Sequence, residues 1–319
     1  MSQSVLFIDL PGERPLPEAT ALRVAAEGAE MIGVIDPHAA LTAIQNAKNL
    51  RFVVLNSPAL DLLDAVRKAH PQALTILVTD ATMDRYSQLL DGREDTLVDH
   101  VIASRTPIEW TIHELRVTIQ KVLRQDIFGV AKYLTSGTPV TELLVKGSAD
   151  RDAWNNRVMN FAEENRLGHY TAKLAFGITE ELLMNAIYDA PLAAGITHYG
   201  ELPRTATIEL KPEEYSRLSF GCDGRTFAIG VADPFGALKR EKLYQYLKKV
   251  LRRGDSVNLI DTKKGGAGLG LFKILYSSHA LVCNVRPGKC TEVISLIDIE
   301  HQVRDFSRMA RSIHFFHAS

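Results

Sequence analysis

The 319-residue chain has few cysteines, no long hydrophobic run and almost no net charge. Its cysteines, Cys222, Cys283 and Cys290, form no CxxC pair, which argues against a disulfide framework and a zinc site. No apolar run approaches the roughly 20 residues that span a bilayer, and the N-terminus lacks the features of a signal peptide. A formal net charge of −1 does not favour nucleic acid or an anionic membrane as the partner. We therefore expect a cytoplasmic protein.

The length predicts two domains of ordinary globular composition, with 46% hydrophobic and 24% charged residues. We expect a first domain over residues 1–126, a linker over 127–140, a second domain over 141–300 and a C-terminal tail over 301–319. The linker is assigned from the Gly-, Thr- and Pro-containing stretch TSGTPVT. The apolar sequence IHFF near the end of the tail predicts docking on its own domain, with a partner-binding segment as the alternative.

Residues 1–126 alternate short apolar runs with amphipathic stretches. The expected strands cover 4–10, 30–35, 50–56, 73–80 and 97–104. The expected helices cover 17–29, 36–49, 59–70, 83–92 and 107–125. Asp36 is the expected N-cap of the second helix, with Pro37 at its first position. Apolar strands separated by helices predict a parallel five-stranded sheet with helices on both faces.

Polar residues stand at the carboxyl ends of these strands, where such sheets bind ligands: Asp9, Asn56, Thr79 and residues 104–105. This order resembles the α/β flavodoxin-like receiver domain of response regulators. The family has a second acid where Leu10 stands and a phosphoacceptor aspartate where Asn56 stands, whereas Thr79 matches the pattern. Because a carboxamide cannot form an acyl phosphate, we expect a degenerate site in a pseudo-receiver that is not phosphorylated. Another flavodoxin-like fold is the alternative.

Residues 141–300 predict helices over an antiparallel sheet, an α+β sandwich. The expected strands cover 141–147, 205–211, 215–221, 225–233, 280–286 and 290–299. The expected helices cover 148–168, a segment around 180–191, 238–254 and a segment opened by the glycine-rich run at 266–271. The basic helix over 238–254 is interpreted as a solvated lid, with phosphate contact as the second interpretation and nucleic-acid contact as the third.

Three motifs follow one another in this second domain: Glu181 with Asn185, Asp233 with Gly236, and the run containing Gly266, Gly268, Leu269 and Gly270. Glu181 and Asn185 lie one turn apart on one helix face. Taken singly, the first motif fits a solvated helix face, the second a turn at the end of a strand and the third a flexible loop. Together they resemble the Bergerat-type ATP-binding fold, and within it the anti-sigma-factor serine/threonine kinases and the histidine-kinase ATP-binding domains.

The resemblance implies ATP or ADP with Mg²⁺ as the ligand. Asn185 would ligate Mg²⁺ through its carboxamide oxygen, and Glu181 would be the catalytic base. Asp233 would accept a hydrogen bond from the adenine amino group, with Thr291 near the base. The glycine-rich run would bring backbone amides and the following helix N-terminus to the phosphates.

Two departures from the family pattern leave two hypotheses open. The expected glycines after Asp233 are shifted to Gly236, and Tyr188 and Asp189 stand where the family has a cation. The first hypothesis is a signalling protein that phosphorylates a protein partner on serine or threonine. The second is a non-catalytic switch in which nucleotide changes partner affinity. Both imply a protein partner, and the receiver-like domain also suggests a homodimer.

Overall fold

The computed structural model describes residues 3–12, 15–17, 22, 28–82, 85, 98–196, 206–251, 268–300 and 309–318. The chain divides into two compact units. The first contains residues 1–126 and 307–314, and the second contains residues 127–306 and 315–319. Over the described ranges, each helix is too short or too polar to cross a membrane.

The first unit contains five parallel strands in the order β2-β1-β3-β4-β5. They are β1 (Ser4–Ile8), β2 (Glu30–Val34), β3 (Leu50–Asn56), β4 (Leu74–Thr79) and β5 (His100–Ala103). Each lies within its predicted range. Alternate residues of these strands point to one face, and the core there includes Val5, Phe7, Phe52, Val54, Ile76, Val78 and Ile102.

The described helices of the first unit are α1 (Pro37–Asn46), α2 (Leu63–Ala69) and α3 (Glu109–Leu123). The Asp36 carboxylate accepts a hydrogen bond from Ala39 N at 2.9 Å and caps α1, with Pro37 at the first position. A single helix was expected over 59–70, but a 3₁₀ turn (Ser57–Leu62) precedes α2. The helix expected over 83–92, and most of that over 17–29, lie outside the described residues.

The C-terminal strand β11 (Ser312–His317) begins in the first unit, where it pairs antiparallel with β5. Ser312 Oγ accepts a hydrogen bond from Ala103 N at 2.9 Å. His314 Nε2 lies 2.7 Å from Oε1 of the buried Glu114. Burial raises the pKa of Glu114, but His314 and the charge of Arg105 outweigh it and lower the pKa below its usual value. The tail therefore contains a strand fixed by a buried polar network.

The second unit contains five antiparallel strands in the order β9-β10-β8-β7-β6. They are β6 (Thr141–Val145), β7 (Ser216–Cys222), β8 (Thr226–Asp233), β9 (Ala280–Arg286) and β10 (Cys290–Asp298). Its described helices are α4 (Arg151–Glu164), α5 (His169–Met184), α6 (Ala190–Ala193), α7 (Arg240–Leu251) and α8 (Gly268–Tyr276). Phe161 of α4 packs on Phe220 and Phe227, with ring centroids 5.1 and 5.7 Å away, so the helix covers one sheet face.

The second unit differs from the sequence expectations at two places. The strand expected over 205–211 forms only an isolated bridge between Glu209 and Gly147 in the described part. The linker expected over 127–140 belongs to the unit, with Val130 and Tyr133 buried and Gly129 N donating to Glu292. Buried apolar side chains fix this segment, which its turn-forming residues alone did not predict.

Candidate functional site

The adjacent glutamates of α5 have different partners. Glu180 is joined to α4 by an ion pair with Arg151 and by a 2.6 Å hydrogen bond from Asn155 Nδ2. Glu181 instead lies 2.6 Å from Nζ of Lys273 on α8. Glu180 therefore fastens two helices together, whereas Glu181 faces the helix that follows the glycine-rich run.

Gly270 of α8 brings that helix into contact with both predicted site residues of α5. A Cβ atom at Gly270 would lie 2.9 Å from Oε2 of Glu181 and 3.0 Å from Oδ1 of Asn185. Only glycine therefore fits without displacing these side chains. Lys273, one turn further on, was not predicted as a site residue, although its three-residue spacing from Gly270 places it on the same helix face.

The helix changes geometry at Asn185. Residues Asn185–Asp189 form a π-helical turn between α5 and α6, and such turns are frequent at functional sites. Asn185 Nδ2 is buried and has no hydrogen-bond partner among the described residues. An unsatisfied buried polar group costs about 1–3 kcal/mol, so a ligand or water able to accept this hydrogen bond would be stabilised there.

Asp233 ends β8 and lies opposite Thr291 of β10. Its side chain is buried, with 7% of the residue exposed, and Oδ1 accepts a 2.9 Å hydrogen bond from Phe235 N. Burial raises the pKa of Asp233 to about 7, against the opposing effect of hydrogen bonds from the backbone of Phe235, Gly236 and Thr291. A carboxylate is thus held in a dry environment by neutral donors.

One cavity brings most of these residues together. Its polar lining residues are Asn185, Asp189, Asp233, Lys242 and Thr291. Its apolar lining residues are Ala190, Ala193, Ala237, Leu238, Leu271 and Val293. Apolar walls with a few converging polar groups are typical of small-molecule sites. Lys242 was expected on a solvated lid helix, and the structure places it in the lining instead.

The glycines predicted as site residues lie in different parts of the second unit. Gly236 has φ +61°, and a Cβ atom there would lie 2.7 Å from Gly288 N, so this residue seats the segment after Asp233 on the β9–β10 turn. It is not among the cavity-lining residues. Gly268 and Leu269 begin α8. Gly266 lies outside the described residues.

The described residues offer few metal ligands of their own. Within the described ranges, no three His, Cys, Asp or Glu side chains are grouped to hold a metal ion. A Mg²⁺ beside Asn185 would therefore take most of its oxygen ligands from phosphate and water, as this ion commonly does in nucleotide sites. The carboxamide oxygen of Asn185 fits that chemistry. Asp189 in the lining opposes phosphate electrostatically, whereas Lys242 favours it.

The residues expected at the degenerate receiver site lie close together in the first unit. Asn56 Nδ2 donates to Oδ1 of Asp9 at 2.9 Å and to Leu10 O at 2.6 Å. The other carboxylate oxygen of Asp9 accepts a hydrogen bond from Leu16 N. Thr79 Oγ1 lies 2.8 Å from the Ser57 hydroxyl. Asp9 and Asn56 thus hold each other and the chain after β1.

Comparisons with known proteins leave the family open. No protein-family model and no curated protein matches the chain. Among solved structures, a SiaB–SiaC complex from Pseudomonas aeruginosa aligns with a TM-score of 0.31 and 13% identity. The alignment covers 49% of this chain and 88% of the other. These values are too low to establish a common fold.

Proposed function

We propose that the second unit is a Bergerat-type domain that binds an adenine nucleotide in the cavity lined by Asn185, Asp233 and Thr291. The observation that carries the proposal is the buried carboxylate of Asp233 in an otherwise largely apolar lining. Burying a charge without a strong partner destabilises a protein. A ligand with an N–H donor would compensate for that burial, and the adenine amino group is such a donor.

Other groups at the cavity favour the negatively charged phosphates of the nucleotide. Asn185 would offer its carboxamide oxygen to Mg²⁺, which in turn would neutralise the phosphates when bound. Leu271, in the first turn of α8, lines the cavity, so the N-terminus of this helix lies at its wall. Backbone N–H groups at a helix N-terminus favour anions. Lys242 adds positive charge.

The function that this geometry supports best is nucleotide-dependent regulation of a protein partner. The ammonium of Lys273 contacts Oε1 of Glu181 at 2.6 Å, so a substrate hydroxyl would have to displace it to reach that oxygen. Nucleotide would thus act by changing the population of conformations of α7 and α8, both of which line the cavity.

Phosphorylation of the partner on serine or threonine is the second candidate. It is favoured by the convergence of Glu181 and Asn185 on Gly270, which places a carboxylate beside a proposed metal ligand. Glu181→Gln tests it: phosphate transfer from ATP to a partner should be lost, with ATP binding in EDTA retained. Transfer at the wild-type rate would eliminate Glu181 as the base.

For the first unit we propose a flavodoxin-like pseudo-receiver. Its support is the parallel strand order β2-β1-β3-β4-β5 together with Asn56 at the end of β3. The carboxamide bonds to Asp9 and cannot accept a phosphoryl group. Incubation with acetyl phosphate and Mg²⁺ should add no phosphate, as measured by intact mass. A stoichiometric gain of phosphate on this unit would contradict the assignment.

Calorimetric titration with ATP and ADP tests the nucleotide site. Asp233→Asn should weaken ATP binding at least about tenfold, because a charged hydrogen-bond partner contributes about 1.5–3 kcal/mol. The matched control is Asp298→Asn, since Asp298 is equally buried at the end of β10 but is not among the cavity-lining residues. Absence of ATP binding in the wild type would overturn the proposal.

A further inference from the structure

An ion pair between Lys273 and Glu181 joins the two helices of the candidate site. Nζ of Lys273 on α8 lies 2.6 Å from Oε1 of Glu181 on α5. The two side chains are 32% and 21% exposed, so water screens this pair less than a fully exposed one. Lys273 therefore neutralises the carboxylate that lies one helical turn from Asn185.

The same face of α8 also covers Asn185. Gly270 lies three residues before Lys273, and positions with this spacing share a helix face. The Cβ position of Gly270 is 2.9 Å from Oε2 of Glu181 and 3.0 Å from Oδ1 of Asn185. A carboxylate oxygen and a carboxamide oxygen thus lie against the helix face that carries the ammonium.

These two oxygens are hard ligands that suit a divalent cation better than an ammonium. The lysine supplies one positive charge on a flexible stem, whereas a divalent cation carries twice that charge and binds several oxygens at once. Both therefore depend on the same carboxylate charge.

We propose that Lys273 competes with the divalent cation of a metal–nucleotide complex for the charge of Glu181 beside Asn185. The inference rests on the proposed nucleotide site and adds a regulation to it. With Lys273 in place the protein binds nucleotide with weak dependence on the metal, and the metal binds strongly only when the lysine withdraws. The position of α8 then sets the metal dependence.

The test measures the ATP dissociation constant by calorimetry in EDTA and in saturating Mg²⁺. The ratio of the EDTA value to the Mg²⁺ value gives the gain in affinity that the metal provides. Lys273→Met keeps the length of the side chain and removes its charge. It should raise the gain in affinity from Mg²⁺ about tenfold, because the charge of Glu181 is then available to the metal alone. Lys273→Arg keeps the charge and should leave the ratio at the wild-type value.

Making Lys273→Met in a protein that already carries Glu181→Gln controls for indirect effects of the lysine substitution. In Glu181→Gln, Lys273→Met should leave the ratio unchanged, because the carboxylate for which the cations compete is gone. The proposed competition is refuted if Lys273→Met leaves the ratio unchanged or lowers it. It is also refuted if the rise persists in the Glu181→Gln background.

Binding in EDTA separates this inference from the nucleotide site itself. If the wild type binds no ATP in either condition, the proposed site is wrong and the competition is wrong with it. If the wild type binds ATP and Asp233→Asn weakens binding, while Lys273→Met keeps the wild-type ratio, only the competition is refuted.

Discussion

Replacing Asp233 with asparagine should stabilise the second unit while it impairs ligand binding. The native carboxyl has a pKa of about 7 against an ordinary value of 3.8. Because one pKa unit corresponds to about 1.4 kcal/mol, the ionised native state is disfavoured by about 4 kcal/mol as an upper estimate. Asparagine keeps an oxygen that can accept from Phe235 N and carries no charge.

The size of the effect depends on pH. Between about pH 4 and pH 7 the native state binds more protons at Asp233 than the unfolded state does, so the free energy of unfolding falls as pH rises. Above the native pKa this fall ends. The difference between Asp233→Asn and the wild type should therefore be small near pH 4 and reach its maximum near pH 8.

Urea denaturation between pH 4 and pH 8 measures this difference. The chain has two tryptophans, Trp110 in the first unit and Trp154 in the second, so a Trp110→Phe background makes fluorescence report on the second unit. Ionisable groups distant from Asp233 contribute equally to the pH dependence of the wild type and of Asp233→Asn, so their contributions cancel in the difference. Parallel pH profiles for the wild type and Asp233→Asn would refute the account of a strained buried carboxylate.

Three further substitutions have defined expectations. Gly270→Ala should lower the free energy of unfolding by about 1–3 kcal/mol and weaken ATP binding, because its Cβ would crowd Glu181; calorimetry and denaturation measure both. Glu180→Gln should destabilise the second unit by about 1–3 kcal/mol in denaturation but leave ATP affinity unchanged. Asn56→Asp should place a second carboxylate beside Asp9 and lower thermal stability at pH 7, with the loss reversed by Mg²⁺.

Local signals in the sequence predict much of the fold. Near-continuous apolar runs locate the five parallel strands, and Asp36 followed by Pro37 locates the start of α1, because both signals act within a few residues. By contrast, β11 is stabilised by Ser312 and His314, which contact residues about 200 positions earlier in the chain. Such pairing leaves no local pattern.

The candidate site shows the same division. The family resemblance points to Asn185, Asp233 and Thr291, and all three line one cavity. Lys273 could not be selected in the same way, because its contact with Glu181 depends on how α8 packs on α5. The neighbouring Glu180 carries the same charge as Glu181, and only the position of α4 decides which of them faces the site.

The most direct test of the nucleotide site compares ATP with purine riboside triphosphate, which lacks the adenine amino group, in the wild type and in Asp233→Asn. Calorimetry should show that the wild type prefers ATP at least about tenfold, since the hydrogen bond to a charged group is lost in the analogue. In Asp233→Asn that preference should disappear. Equal affinities in the wild type, or a preference that persists in Asp233→Asn, would contradict recognition of adenine by Asp233.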